Sequence, residues 1–126
     1  MFRINTASGK PIYEQIMEQV KESMLKGYLK AGDALPSVRK LAISLSVTPN
    51  TVAKAYQELE RERIIVTIRG KGAFISDHIK YEMNQEKLQD IKEMIRGQLI
   101  ELTYLGFDQE MTVELIRQLY KDLESE

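Results

Sequence analysis

Cysteine and tryptophan are absent from this 126-residue chain, and histidine occurs once, at His78. Without cysteine there is no disulfide framework and no thiolate metal site. A single histidine excludes a His-rich metal cluster and leaves little from which to build a His-based catalytic triad. No apolar run approaches the roughly 18 residues of a membrane helix. Met1-Phe2-Arg3-Ile4 has no signal-peptide core behind it, so the chain is expected to stay in the cytoplasm. Repeats, low-complexity stretches and long linkers are lacking too. What remains is 43% hydrophobic and 29% charged residues, the balance of an ordinary folded chain. Its length suits one domain, or one small domain with an appendage.

Excess charge of one sign is also missing from the whole, at 18 Lys/Arg against 19 Asp/Glu, yet it appears once the chain is cut. Residues 1–76 hold 12 Lys/Arg against 7 Asp/Glu, whereas residues 77–126 hold 6 against 12. A basic front and an acidic tail point to two jobs, with the front facing a polyanion.

Ile12, Ile16, Val20 and Met24 fall four apart, widened by Tyr13 and Met17, which predicts a helix with one buried face. Pro11 and Gly27 mark its two ends. The stretch Lys30–Pro36 is rich in turn residues and has room only for a very short strand. Ser37 then caps a short helix whose inward face is Val38, Leu41, Ala42 and Leu45. After a tight Ser46-Val47 connection, Thr48 caps a third helix that begins at Pro49 and runs to about Glu62. On this helix Val52, Ala55, Tyr56 and Leu59 share one sector, and Asn50, Lys54, Gln57 and Arg61 share the opposite one. Glu58 and Glu60 lie toward the flanks and far end. Ile64–Ile68 reads as a strand, Arg69-Gly70-Lys71-Gly72 as a turn, and Ala73-Phe74-Ile75 as the returning strand. Three helices followed by a hairpin with a cationic tip is the order of a winged helix-turn-helix.

A recognition helix presents short polar side chains to base edges in a groove about 12 Å wide and grips phosphates at its margins. Thr48, Asn50 and Thr51 stand at the N-terminal end of the third helix, and Lys54 follows one turn later on the same face. Ser37 and Arg39 come from the preceding helix, where a guanidinium fork reaches a phosphate or a guanine edge. Arg69, Gly70, Lys71 and Gly72 form the hairpin tip, where glycines let the backbone approach a groove or a phosphate closely. Taken singly, each of these is more simply a solvated helix face or an ordinary turn. The basic front, the short inter-helix turn and the glycine-rich tip together favour nucleic acid. The Gly70-Lys71-Gly72 spacing is not that of a phosphate-binding P-loop.

The segments Pro11-Ile12-Tyr13-Glu14-Gln15, Leu35-Pro36-Ser37-Val38-Arg39-Lys40-Leu41-Ala42, Val47 through Glu60, and Gly70-Lys71-Gly72-Ala73-Phe74-Ile75 together resemble the GntR family of bacterial transcription regulators. The short helical tail resembles its YtrA-type subfamily. This resemblance covers about residues 9–76, and the tail matches mainly in length and helicity. It implies a winged helix that binds an operator as a homodimer, with DNA contacts from Arg39, from Thr48, Asn50 and Thr51, and from Gly70 with Lys71 beside it. Many members carry arginines where this chain has Pro49 and Ala53, so direct guanine readout at those two positions is absent.

The tail predicts a long helix striped by Leu88, Ile91, Ile95, Leu99 and Leu102 and starting near Ile79. A break follows at Tyr104–Asp108, with Asp108 as cap, and then a final helix carrying Leu115, Ile116, Leu119 and Leu123. Two such helices make no core alone. Leu88, Ile91, Ile95, Leu99, Leu102, Leu115 and Leu119 are therefore the expected dimerisation residues. Met83, Met94 and Met111 read as packing, His78 as a solvated hinge residue, and Glu82, Glu86, Asp90 and Glu93 as a wet face.

The expected architecture is thus mostly α with a small β-hairpin: a winged helix-turn-helix over 1–76 and a helical dimerisation region over 77–126. Its expected role is a sequence-specific, DNA-binding transcription regulator, a homodimeric repressor acting on a pseudo-palindromic operator. The competing reading is an adaptor that uses its winged helix to bind protein. An enzyme is not expected, nor a metal or cofactor, because no nucleophile–base pair, ligand cluster or phosphate loop is visible. Regulation is left open between a small-molecule effector lodged between tail and head and control by expression alone.

Overall fold

The computed structural model describes residues 2–77 and 83–124. Its elements are α1 (Ile12–Leu25), α2 (Val38–Leu45), α3 (Pro49–Arg61), β1 (Ile65–Ile68), β2 (Gly72–Ile75), α4 (Gln85–Tyr104) and α5 (Gln109–Glu124). The chain divides into two compact units, residues 1–80 and 81–126. Among the described residues, no helix is long and apolar enough to cross a membrane. His78, Ile79 and Glu82, which figured in the sequence reading, lie outside the described residues.

In the first unit, α3 is the central element. It packs on α1, on α2 and on β1. The inward residues of the three helices meet there: Ile16, Val20, Leu41, Ala42, Val52, Ala55, Tyr56 and Leu59 are buried together with Leu29, Leu35, Ile65 and Ile75. The predicted stripes of α1, α2 and α3 supply most of this core, since periodic burial is what folds helices this short. Val38 and Leu45 are only partly buried at its rim. The hairpin pairs antiparallel with Val66 opposite Phe74 and Ile68 opposite Gly72. On its other edge β2 meets the segment before α2, through an Ala34–Phe74 bridge and a bond of 2.9 Å from the Leu35 amide to the Ala73 carbonyl. The very short strand expected in Lys30–Pro36 is that bridge, and it fastens the hairpin to the helices.

Helix ends follow local chemistry. Ser37 accepts the Lys40 amide at 3.1 Å, as expected of a cap. Thr48 holds the cap position of α3 without capping it, because its hydroxyl bonds the Thr51 hydroxyl at 2.9 Å instead. The short α2–α3 connection depends on Ser46, which takes the left-handed conformation at φ 56°. There its amide and that of Val47 bond the Ile43 and Ala42 carbonyls, the arrangement that usually recruits glycine.

The second unit is two helices joined at a turn. The α4 helix starts at Gln85, not near Ile79, because Asn84 takes the Lys87 amide on its side chain at 3.0 Å. As expected, Asp108 caps α5, accepting the Met111 amide at 2.9 Å. Thr112 is the only buried side chain among the described residues of this unit, and α4 buries none. Met83, Met94 and Met111, read as packing residues, are exposed in the single chain.

Candidate nucleic-acid interface

The site is assembled around the start of α3. Tyr56 lies on its buried side, only 6% exposed, and its hydroxyl donates to the Pro36 carbonyl at 2.7 Å. Burial pushes this hydroxyl's pKa up to about 12. That bond ties the entry of α2 to the middle of α3. It thereby fixes against α3 the helix whose first turn carries Ser37 and Arg39, while Thr48, Asn50 and Thr51 stand at the start of α3. All of these are exposed except Thr51, which is partly buried. Thr48 and Thr51 spend hydroxyl capacity on each other, which fixes both side chains at the helix N-terminus. Pro49 contributes no amide to this end and the Thr51 amide bonds the Thr48 carbonyl at 3.1 Å, so what the start of α3 offers an anion is mainly the positive end of its dipole.

Two neighbours frame the open face of α3. On one flank Lys54 stacks over the Tyr13 ring of α1, its ammonium 4.1 Å from the centroid. On the other, Glu60 accepts the Thr67 hydroxyl of β1 and so steadies the hairpin against the last turns of α3. Arg61, grouped with the open face in the sequence reading, is engaged with Glu58 through Nε at 3.1 Å and through its terminal nitrogen. That bond holds the guanidinium charged while compensating it. The hairpin tip, Arg69 through Gly72, is exposed, with Gly70 at φ 80° and Gly72 at φ 115°.

The distribution of ion pairs sharpens the charge argument. Within the first unit, Lys10 pairs with Glu18, Lys21 with Glu62, Lys26 with Glu22 and Arg61 with Glu58. Three of these four pairs lie along α1 and its contact with the end of α3. Among the described residues, Arg39, Lys40, Lys54, Arg69 and Lys71 make no ion pair. One pair, Arg61–Glu58, lies on α3 itself, and the entry of α2, Lys54 and the hairpin tip keep their positive charge. No group of three His, Asp or Glu among the described residues is placed to hold a metal.

Sequence reasoning missed three contributors: Tyr13, Glu58 and Tyr56's bond to Pro36. The first two sit at the edge of a helix stripe; Tyr13 meets Lys54 only through the packing of α1 on α3, whereas Glu58 meets Arg61 within its own helix.

Three helices with a fastened hairpin and a cationic recognition face define a winged helix-turn-helix, the class of DNA-binding transcription regulators. The model of bacterial regulatory proteins of the gntR family matches residues 12–75. Over 123 residues the chain is 46% identical to the HTH-type transcriptional repressor YtrA of Bacillus subtilis (strain 168), spanning 98% of this chain and 95% of that protein. A crystal structure of a transcriptional antiterminator from Listeria monocytogenes EGD-e superposes with a TM-score of 0.86 at 40% identity, covering 100% of this chain and 94% of that one. YtrA from Sulfolobus acidocaldarius, a GntR-family transcription factor, gives a TM-score of 0.61 at 36% identity over 76% of this chain and 97% of that one. The chain belongs to the GntR family and is a DNA-binding transcription regulator of that family.

Proposed function

We propose that this regulator is a homodimeric repressor that works in the cytoplasm on a pseudo-palindromic operator. Ser37, Arg39, Thr48, Asn50, Thr51, Lys54, Arg69, Gly70, Lys71 and Gly72 make its DNA contacts. In this reading Arg39, Lys54 and Lys71 grip phosphates, and Asn50 with Thr51 meets base edges. The observation that carries it is the set of cations without an ion pair among the described residues at the entry of α2 (Arg39, Lys40), on α3 (Lys54) and at the hairpin tip (Arg69, Lys71). Repression is taken from the repressor YtrA of Bacillus subtilis, to which the chain is similar over nearly its whole length.

Self-association falls to the tail. Ile91, Ile95, Leu99 and Leu119 are exposed, and Leu88, Leu102 and Leu115 are only partly covered. A continuous apolar stripe on two helices without a core of their own calls for a partner. A second copy supplies it with two-fold symmetry, and that symmetry sets two half-sites about one helical turn, roughly 34–36 Å, or a multiple of it apart.

Mobility shift against fragments of the source genome at physiological salt tests the reading. Specific retention of a few fragments is expected. Arg39→Ala is expected to weaken it by about 1–3 kcal/mol, and Lys71→Ala to lower the salt slope by about one. Weak, sequence-blind retention that neither substitution changes refutes the assignment and favours the adaptor.

A further inference from the structure

Tyr13 belongs to the apolar stripe of α1 by spacing, yet it is only partly buried and its ring carries the Lys54 ammonium at 4.1 Å. The natural partner for Lys54 on its own helix is Glu58, four residues on. Glu58 is instead held by Arg61, three residues beyond it. The other carboxylate near the ring, Glu14, accepts the Tyr13 hydroxyl at 3.3 Å. Both acids within reach are thus occupied, and among the described residues Lys54 makes no ion pair. A ring face attracts an ammonium without neutralising it. The stacked lysine keeps its full charge but surrenders much of its rotamer freedom before any ligand arrives.

We infer that Tyr13 is a positioning residue for DNA binding: its ring holds the Lys54 ammonium, charged and pre-ordered, at the edge of α3 for a backbone phosphate. This rests on the reading of α3 as the DNA face. Tyr13 touches no DNA itself and acts only through Lys54. The Arg61–Glu58 pair serves the same end by keeping a carboxylate from drawing Lys54 back along its helix.

The test uses the full chain and a labelled duplex carrying a fragment that the wild-type protein retains, read by fluorescence anisotropy across a salt series. Tyr13→Leu is expected to weaken binding about 3- to 5-fold, and Tyr13→Phe, which restores the ring without the hydroxyl, to recover it. Lys54→Met is expected to weaken binding about 5- to 10-fold and lower the salt slope by about one. In the Lys54→Met background, Tyr13→Leu is expected to add less than about 2-fold, because the two act as one unit. The Lys54 side-chain protons provide a readout without DNA: a ring-current shift in the wild type and Tyr13→Phe, absent in Tyr13→Leu. If Lys54→Met weakens binding but Tyr13→Leu does not, or if their effects multiply independently, the role of Tyr13 is overturned while the DNA face stands. If the wild type binds no duplex, the DNA face falls and this inference with it.

Discussion

Replacing Tyr56 with phenylalanine removes one oxygen from the junction that aligns α2 with α3, and its consequence depends on pH. The hydroxyl donates to the Pro36 carbonyl at 2.7 Å from a side chain only 6% exposed. Losing that bond and stranding its acceptor costs about 1–2 kcal/mol near neutral pH. The ionisation of the same hydroxyl moves from 10.0 to about 12 on folding, because burial disfavours the phenolate. Below pH 10 the group is protonated in both states, and its contribution is complete. Between pH 10 and 12 the unfolded chain ionises first, so wild-type stability falls as pH rises. At about 1.4 kcal/mol per pH unit the full span is worth at most ~3 kcal/mol, and screening by water at the hydroxyl edge reduces it to about 1–2 kcal/mol. Tyr56→Phe has no such proton to lose. Urea unfolding of both proteins from pH 7 to 11 is therefore expected to show a gap of about 1–2 kcal/mol that holds up to about pH 10 and narrows by about half at pH 11. The remaining tyrosines titrate in both proteins and cancel in the difference. A gap that stays constant, or widens, across that range refutes the reasoning.

Gln15 is 7% exposed, and its amide joins the Asn5 amide and carbonyl, the Ser8 hydroxyl and the Lys10 carbonyl, strapping the N-terminal segment to α1. Gln15→Ala is expected to cost about 2–3 kcal/mol in urea unfolding and to raise amide exchange at Asn5; slow exchange there in the variant disproves the strap. Ser37→Ala, which removes the cap of α2, is expected to cost about 1 kcal/mol in thermal unfolding. Leu99→Asp or Leu119→Asp is expected to give monomers by light scattering with the first unit still folded; dimers that persist move the interface off this stripe.

Much of the molecule was legible because it is locally encoded. The caps at Ser37 and Asp108 and the buried faces of α1, α2 and α3 follow from side-chain chemistry and a 3.6-residue period, and each stands where the sequence put it. Apolar spacing by itself does not locate the start of α4; the capping chemistry of Asn84 does. Spacing also gave no sign that Ser46 would take the left-handed position that lets α3 follow α2 so closely.

The interface divides in the same way. A helical wheel places Lys54, Gln57 and Arg61 on one open face, because direction around a helix is a property of its own sequence. Which of those cations stays available is not. Arg61 and Lys54 flank the same carboxylate, Glu58, and either spacing permits an ion pair. Only the arrival of Tyr13, 41 positions earlier in the chain, offers Lys54 an alternative and leaves Arg61 as the partner of Glu58. The electrostatics of the recognition face are thus a tertiary outcome: the packing of α1 on α3 that buries Ile16 and Leu59 also brings up the ring that decides which charge remains on display.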